Sequence, residues 1–357
     1  MASTPLQTLP SLTALRGICA TIIAVLHLMI AFAPAQAQIF GRFRPYLVVD
    51  LFFLMSGLVM AHVYGASLAR DPRGGAIAYL RARFARIYPL HFVTLSAVIL
   101  IVAIWPYTGH GIDFSSRTMV LHFGMLQGLS SKLSWNDPAW SVGDEMFAYV
   151  VFLFTARPLM IGSHAWSIAT GCAIALTAVA ARHNGMLFPA GLPGIVRALA
   201  GFTLGVLAYR AWRKNPRRLG LLFAWLLLPL LAIAVALRSE AIMILNLAMV
   251  MILCLEVKGP IAVVLNRGLL ERLGDWSYSI YLWHMPLIFA VIGWCHAHNI
   301  HPLHLRGAAT AELIIALLVT TILLAAVSYH AVERPARRLL RARRSGRHAS
   351  YIYDTVP

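Results

Sequence analysis

The sequence predicts an all-α fold: a polytopic membrane helix bundle of about ten transmembrane helices, with both termini cytoplasmic. Three observations predict it. The 357 residues are 60% hydrophobic and only 12% charged, far too apolar for a soluble domain. Ten apolar runs are each long enough to cross a bilayer. The basic residues gather in alternate loops, as cytoplasmic loops require. A formal charge of +17 in a soluble chain would suggest nucleic acid. In a membrane chain, arginines at cytoplasmic helix ends account for it, so no nucleic-acid partner is expected.

The runs cover 11–32, 46–66, 87–106, 138–156, 159–181, 192–209, 219–237, 241–257, 273–295 and 308–331. The first carries Arg16 and His27 and lacks a clean small-residue cleavage site, so it reads as a retained helix and not a signal peptide. Pro89 suits the first turn of the third span, where its missing N–H costs little. The segment 117–130 is a short, polar, ambiguous eleventh. Charge decides: if it does not span, 21 basic residues fall inside and seven outside, with Arg16 and Arg197 within helices. If it spans, the count becomes 9 inside and 19 outside. The stretch 107–137 is therefore expected to be an extracytoplasmic loop with a short re-entrant or interfacial helix. Residues 1–340 read as one membrane-embedded domain and 341–357 as a basic cytoplasmic tail on anionic lipid, in a multi-pass protein of the cell (inner) membrane. Cys19, Cys172, Cys254 and Cys295 lie in apolar runs without paired spacing and read as packed thiols.

This topology gives each polar residue a depth. Arg16 and His27 are eleven residues apart, three turns plus about 20°, so they share one helix face about 16 Å apart along the axis. Arg16 falls near the cytoplasm and His27 nearer the outer face. Asp50, Asp144 and Glu145 fall in the outer half. Arg83 and Arg86 gather at the inner mouth of the third span, and Tyr278, Tyr281 and His284 climb toward mid-membrane. Guanidiniums suited to bidentate phosphate binding thus lie inside, and groups suited to proton abstraction lie outside. Ionisable groups at such depths are costly and read as functional.

Together these residues resemble the acyltransferase family 3 integral membrane enzymes, which O-acylate glycans and related acceptors. Arg16 and His27 match the family's Arg/Lys-x10-His. Asp50-Leu-Phe-Phe-Leu-Met-Ser-Gly-Leu58 matches its Asp-x-Phe-Phe-x-x-Ser-Gly-Phe, and Arg83 to Pro89 its Arg-x-x-Arg-Ile-Tyr-Pro. Trp140, Ser141 and Glu145 resemble Trp-Ser-Leu-x-x-Glu; Ser277 to Pro286 match Ser-Tyr-x-x-Tyr-Leu-x-His-x-Pro; Glu333 and Pro335 match Glu-x-Pro. The six motifs run in register from residue 11 to about 340. Val48-Val49 in place of Gly-Val, Val142 in place of Leu, and Phe147-Ala148 at an aromatic position depart from the pattern and bear on acceptor preference.

The resemblance implies transfer of an acyl group, expected to be acetyl, from cytoplasmic acyl-CoA to a hydroxyl of an extracytoplasmic carbohydrate or glycolipid. Acyl-CoA is a co-substrate, and no metal or other cofactor is implied. Arg16, Arg83, Arg86 and Tyr88 would bind the CoA; His27, oriented by Asp50, would take the acceptor's proton, either directly or through an acyl-imidazole. Trp140, Ser141, Tyr278, Tyr281 and His284 would line the pocket, with Trp140 and the two tyrosines as candidate oxyanion donors. Each residue also has a plainer reading. Asp50 could pair with Arg42, Arg44 or His27; Glu145 could belong to the site or cap its helix. Arg83 and Arg86 could only enforce topology, and Glu333 could pair with Arg334 and Arg337. The histidines at 296–304 read as an exposed loop and not a metal clip. A transporter of an acyl or glycan intermediate is the alternative function; no inverted repeat supports it.

Overall fold

The computed structural model describes residues 9–109, 111–130, 134–183, 191–256, 265, 268–300 and 307–342. Among them every regular element is helical. Helix α1 (Pro10–Phe32) opens on a proline, whose missing N–H would have lacked a partner there anyway. Pro34 begins the short α2 (Pro34–Gly41). A 3-10 turn (Pro45–Leu47), α3 (Val48–Met60), a π turn (Ala61–Gly65) and α4 (Ala66–Arg70) form one continuous span. Helix α5 (Pro72–Ile104) is capped by Asp71, whose carboxylate accepts from the Gly74 N–H at 2.9 Å. Then come α6 (Ser116–Phe123), α7 (Ala139–Ile161), α8 (Ala165–Arg182), α9 (Gly191–Lys214), α10 (Pro216–Ala236), α11 (Glu240–Glu256), α12 (Leu269–Asp275) and α13 (Ser277–Ala297). Helix α14 (Ala308–Ser328) runs through a second π turn (Tyr329–Glu333) into α15 (Arg334–Ala342).

Among the described residues, eight helices are long and apolar enough to cross a membrane. Helices α7 and α11 coincide with the other two expected spans; Asp144 and Glu145 interrupt the apolar run of α7, and α11 has 17 residues. Helix α6 has eight residues, about 12 Å, too short to cross, so 117–130 adds no span. The tail beyond Ala342, His301 and His304 lie outside the described residues.

One expectation needs correction. Pro89 is not in the first turn of its helix but deep inside α5, which begins at Pro72. The arginine-rich stretch before it is helical because Arg83 and Arg86 are buried in the bundle rather than solvated in a loop. Two residues before the proline, the Ile87 carbonyl accepts from the Tyr278 hydroxyl at 2.8 Å.

Close backbone approach sets the bundle's centre. A Cβ on Gly57 would overlap the Phe202 carbonyl, and one on Gly205 the Leu54 carbonyl, so α3 and α9 can pack this tightly only through glycine. Helix α10 keeps Trp225, Leu228 and Val235 exposed, as a lipid-facing surface requires. All four cysteines are free thiols.

Candidate active site

Helices α1, α3, α5, α7 and α13 enclose a polar cavity. It is lined by Arg16, Ser56, Arg83, Arg86, Ser141, Glu145, Tyr149, Ser277, Tyr278 and Tyr281, with Phe52, Phe53, Met55 and Val142 as apolar walls. Helical spacing explains the convergence: Arg83 and Arg86, Ser141 and Glu145, Tyr278 and Tyr281 are each three or four apart, on one face of their helix.

The cavity's arginines are not equivalent. Arg16 makes no hydrogen bond or ion pair among the described residues. Arg83 is buried over the rings of Tyr64 at 5.3 Å and Tyr149 at 5.8 Å, and its Nε has no partner. Tyr64 reaches it from the first π turn, a distortion often found at functional sites. Arg86 is already paired, its Nη1 lying 3.2 Å from Glu333. Glu333, on the second π turn, also accepts from Ser279 at 2.5 Å and from Arg337 at 3.3 Å. Its partners are thus Arg86 and Arg337, where Arg334 and Arg337 were expected. Tyr88 is not with these arginines. It lies 140° round α5 from Arg83 at 100° per residue, stacked on Phe84 at 4.4 Å and beside Phe92.

Deeper in the cavity, Glu145 accepts from Ser56 and from Tyr149, each at 2.5 Å. The carboxylate therefore faces the cavity rather than capping α7. One turn along, Ser141 and Tyr281 pair through their hydroxyls at 2.8 Å. The Tyr281 ring sits 6.0 Å from that of His284 and connects the cavity to a histidine pair.

His27 and His284 stack with ring centroids 5.0 Å apart, and His27 Nδ1 is 2.9 Å from His284 Nε2. The tautomers follow from the last link. His284 Nδ1 lies 3.2 Å from the Ile280 carbonyl, which can only accept, so Nδ1 carries the hydrogen. Neutral His284 then has a bare Nε2, which takes the His27 Nδ1–H. Neutral His27 is left with a bare Nε2, 3.7 Å from Asp137.

Asp50 does not orient His27. Both its oxygens are taken by Arg197, Nε to Oδ1 at 2.7 Å and Nη2 to Oδ2 at 2.6 Å. Trp140 belongs to this cluster, its ring 5.5 Å from the Arg197 guanidinium, and it does not line the cavity. Arg44 pairs instead with Glu240 at 2.6 Å, and Glu240 also accepts from Tyr46.

A family model described as an acyltransferase domain matches residues 9–330. The chain belongs to acyltransferase family 3. It is a membrane-embedded acyltransferase. Over 385 aligned residues, it is 29% identical to the acyltransferase MdmB of Streptomyces mycarofaciens, covering 94% of this chain and 93% of that protein. A stretch of 101 residues is 39% identical to protein 2 in the picA locus of Rhizobium radiobacter, over 27% of this chain and 47% of that protein. No solved structure matches.

Four residues of the acyltransferase's polar interior escaped the sequence reading. Arg197 was visible as an arginine inside a span, but its partner is 147 residues away. Ser56 stands within a quoted motif, while Tyr149 follows Glu145 by one turn. Asp137 carried no signal except its place just before Trp140 and Ser141.

Proposed function

We propose that this acyltransferase moves an acyl group, acetyl in the simplest case, from cytoplasmic acyl-CoA to a hydroxyl of a carbohydrate or glycolipid outside the membrane. The carrying observation is the pairing of a bare His27 Nε2 with a cavity whose Arg16 and Arg83 have no carboxylate partner. Guanidiniums without a carboxylate partner suit the phosphates and carbonyls of an acyl-CoA, and Arg is the residue built for bidentate anion binding. His27 takes the acceptor's hydroxyl proton at Nε2, and the oxygen attacks the thioester carbonyl. The Ser141 hydroxyl donates to the Pro138 carbonyl at 3.1 Å, so the Tyr281 hydroxyl, turning away from Ser141, is the donor to the developing oxyanion. The carbon–sulfur bond then breaks, and the CoA thiolate leaves and takes up a proton as free CoA. Arg16 and His27 lie about 16 Å apart along α1, a gap for the pantetheine arm to cross.

The same reading puts both termini in the cytoplasm and the protein in the inner membrane, on the strength of the 21-to-7 distribution of basic residues. The test uses the purified protein in vesicles of known orientation. Labelled acetyl-CoA supplied on the tail side should acylate a glycan supplied on the opposite side. Product formed with both substrates confined to the tail side would overturn the cross-membrane scheme.

A further inference from the structure

Asp137 Oδ2 lies 3.7 Å from His27 Nε2, the proton-accepting nitrogen. Its side chain is 41% exposed and that of His27 21%, so the two together form the open edge of the site, while His284 behind them is sealed. Asp137 is also held in place. On one side Trp135 is buried, its backbone N–H donating to His122 Nε2 at 3.0 Å and its indole N–H to the Asp113 carbonyl at 2.8 Å. Next to it Asn136 is buried and donates to the Leu282 carbonyl at 2.9 Å. On the other side Ala139 begins α7. These bonds pin the backbone that presents the Asp137 carboxylate beside the base.

The spacing between them is informative. At 3.7 Å, Asp137 Oδ2 and His27 Nε2 are too far apart for a direct hydrogen bond, which ends near 3.2 Å. A single alcohol brought between them has one proton. That proton must point at Nε2 to be abstracted, which leaves an oxygen lone pair against the carboxylate. A second hydroxyl on the adjacent carbon removes the conflict: one donates to Nε2 and reacts, and the other donates to Asp137. With each at about 2.7–2.8 Å from its acceptor, two neighbouring oxygens span the gap.

The geometry points to Asp137 as a specificity-determining residue that selects acceptors carrying a vicinal diol, the arrangement of sugar hydroxyls, with His27 acting on one oxygen and Asp137 holding its neighbour. This deepens the proposed function and rests on His27 being the base.

The experiment supplies purified protein with labelled acetyl-CoA and, in turn, cis-1,2-cyclohexanediol or cyclohexanol. It records ester formation, kcat and KM for each alcohol, and total CoA release. Hydrogen bonds to charged groups imply a diol preference of about 10–100-fold in kcat/KM. Asp137→Ala should reduce that preference to within about threefold, chiefly through KM for the diol, and Asp137→Glu should restore part of it. Equal use of the two alcohols by the wild type, no transfer to the diol, or a preference that survives Asp137→Ala would overturn the assignment. The two readings fail differently. Absence of any His27-dependent CoA release would count against the acyltransfer scheme, whereas His27-dependent release without diol preference would count against Asp137 alone.

Discussion

Asp50 and Arg197 meet in a fully buried, two-pronged ion pair that ties α3 to α9, with nitrogen–oxygen distances of 2.7 and 2.6 Å. A carboxylate that resembles part of a catalytic motif is therefore a structural tie at the point where two helices pack through glycine. Removing one member takes this pair away from a charge that stays buried, which costs about 3–5 kcal/mol. Asp50→Ala should therefore lower the thermal midpoint in detergent sharply and lose activity with the fold. The double change Asp50→Asn with Arg197→Gln should recover much of the midpoint. A normally stable, fully folded but inactive Asp50→Ala would return Asp50 to the chemistry.

Arg16 and Arg86 should respond differently to lysine. Arg16 has no carboxylate partner, so Arg16→Lys keeps the charge but loses the bidentate fork. It should raise the donor KM by about tenfold, with kcat and the unfolding midpoint little changed. Arg86 is engaged by Glu333 beside Ser279 and Arg337, so Arg86→Lys should act mainly on stability. Donor titrations and thermal melts on both variants check the contrast.

His284→Phe keeps an aromatic ring against His27 but removes the nitrogen that accepts the His27 Nδ1–H. The proton is then free to sit on either nitrogen of His27. Turnover should fall by more than tenfold, toward the ~10⁴-fold loss known when an orienting group stops fixing a catalytic histidine's tautomer. Donor KM should be unchanged. Undiminished kcat in a folded His284→Phe would show that the tautomer needs no partner.

Topology can be read chemically. Single cysteines placed at 67–71 and 210–218 should be labelled only from the cytoplasmic side, and those at 111–116 only from outside. Labelling of 210–218 from outside would invert the charge count on which the orientation rests.

The bundle was legible because ten apolar runs leave few alternatives, and because 117–130 was too polar and short to join them. What misled was local context. The arginines at 81–86 look like a loop, yet two of them turn inward and the helix begins at Pro72. Tyr88 follows Arg86 in a motif but not on its helix face, a phase error that 100° per residue would have exposed. The partner of Asp50 was beyond reach, since nothing local links residues 147 apart. His284, expected to line the pocket, lies outside the cavity's lining, and its contact with His27 depends on α13 packing against α1.

The most direct test of the central claim is the turnover of His27→Ala at saturating acyl-CoA. General base help is worth about 10²–10⁴-fold, so kcat should fall by that factor while donor affinity and the unfolding midpoint stay close to wild type. Near-normal turnover in a folded His27→Ala would contradict the account and move the base to Glu145, the remaining carboxylate in the cavity.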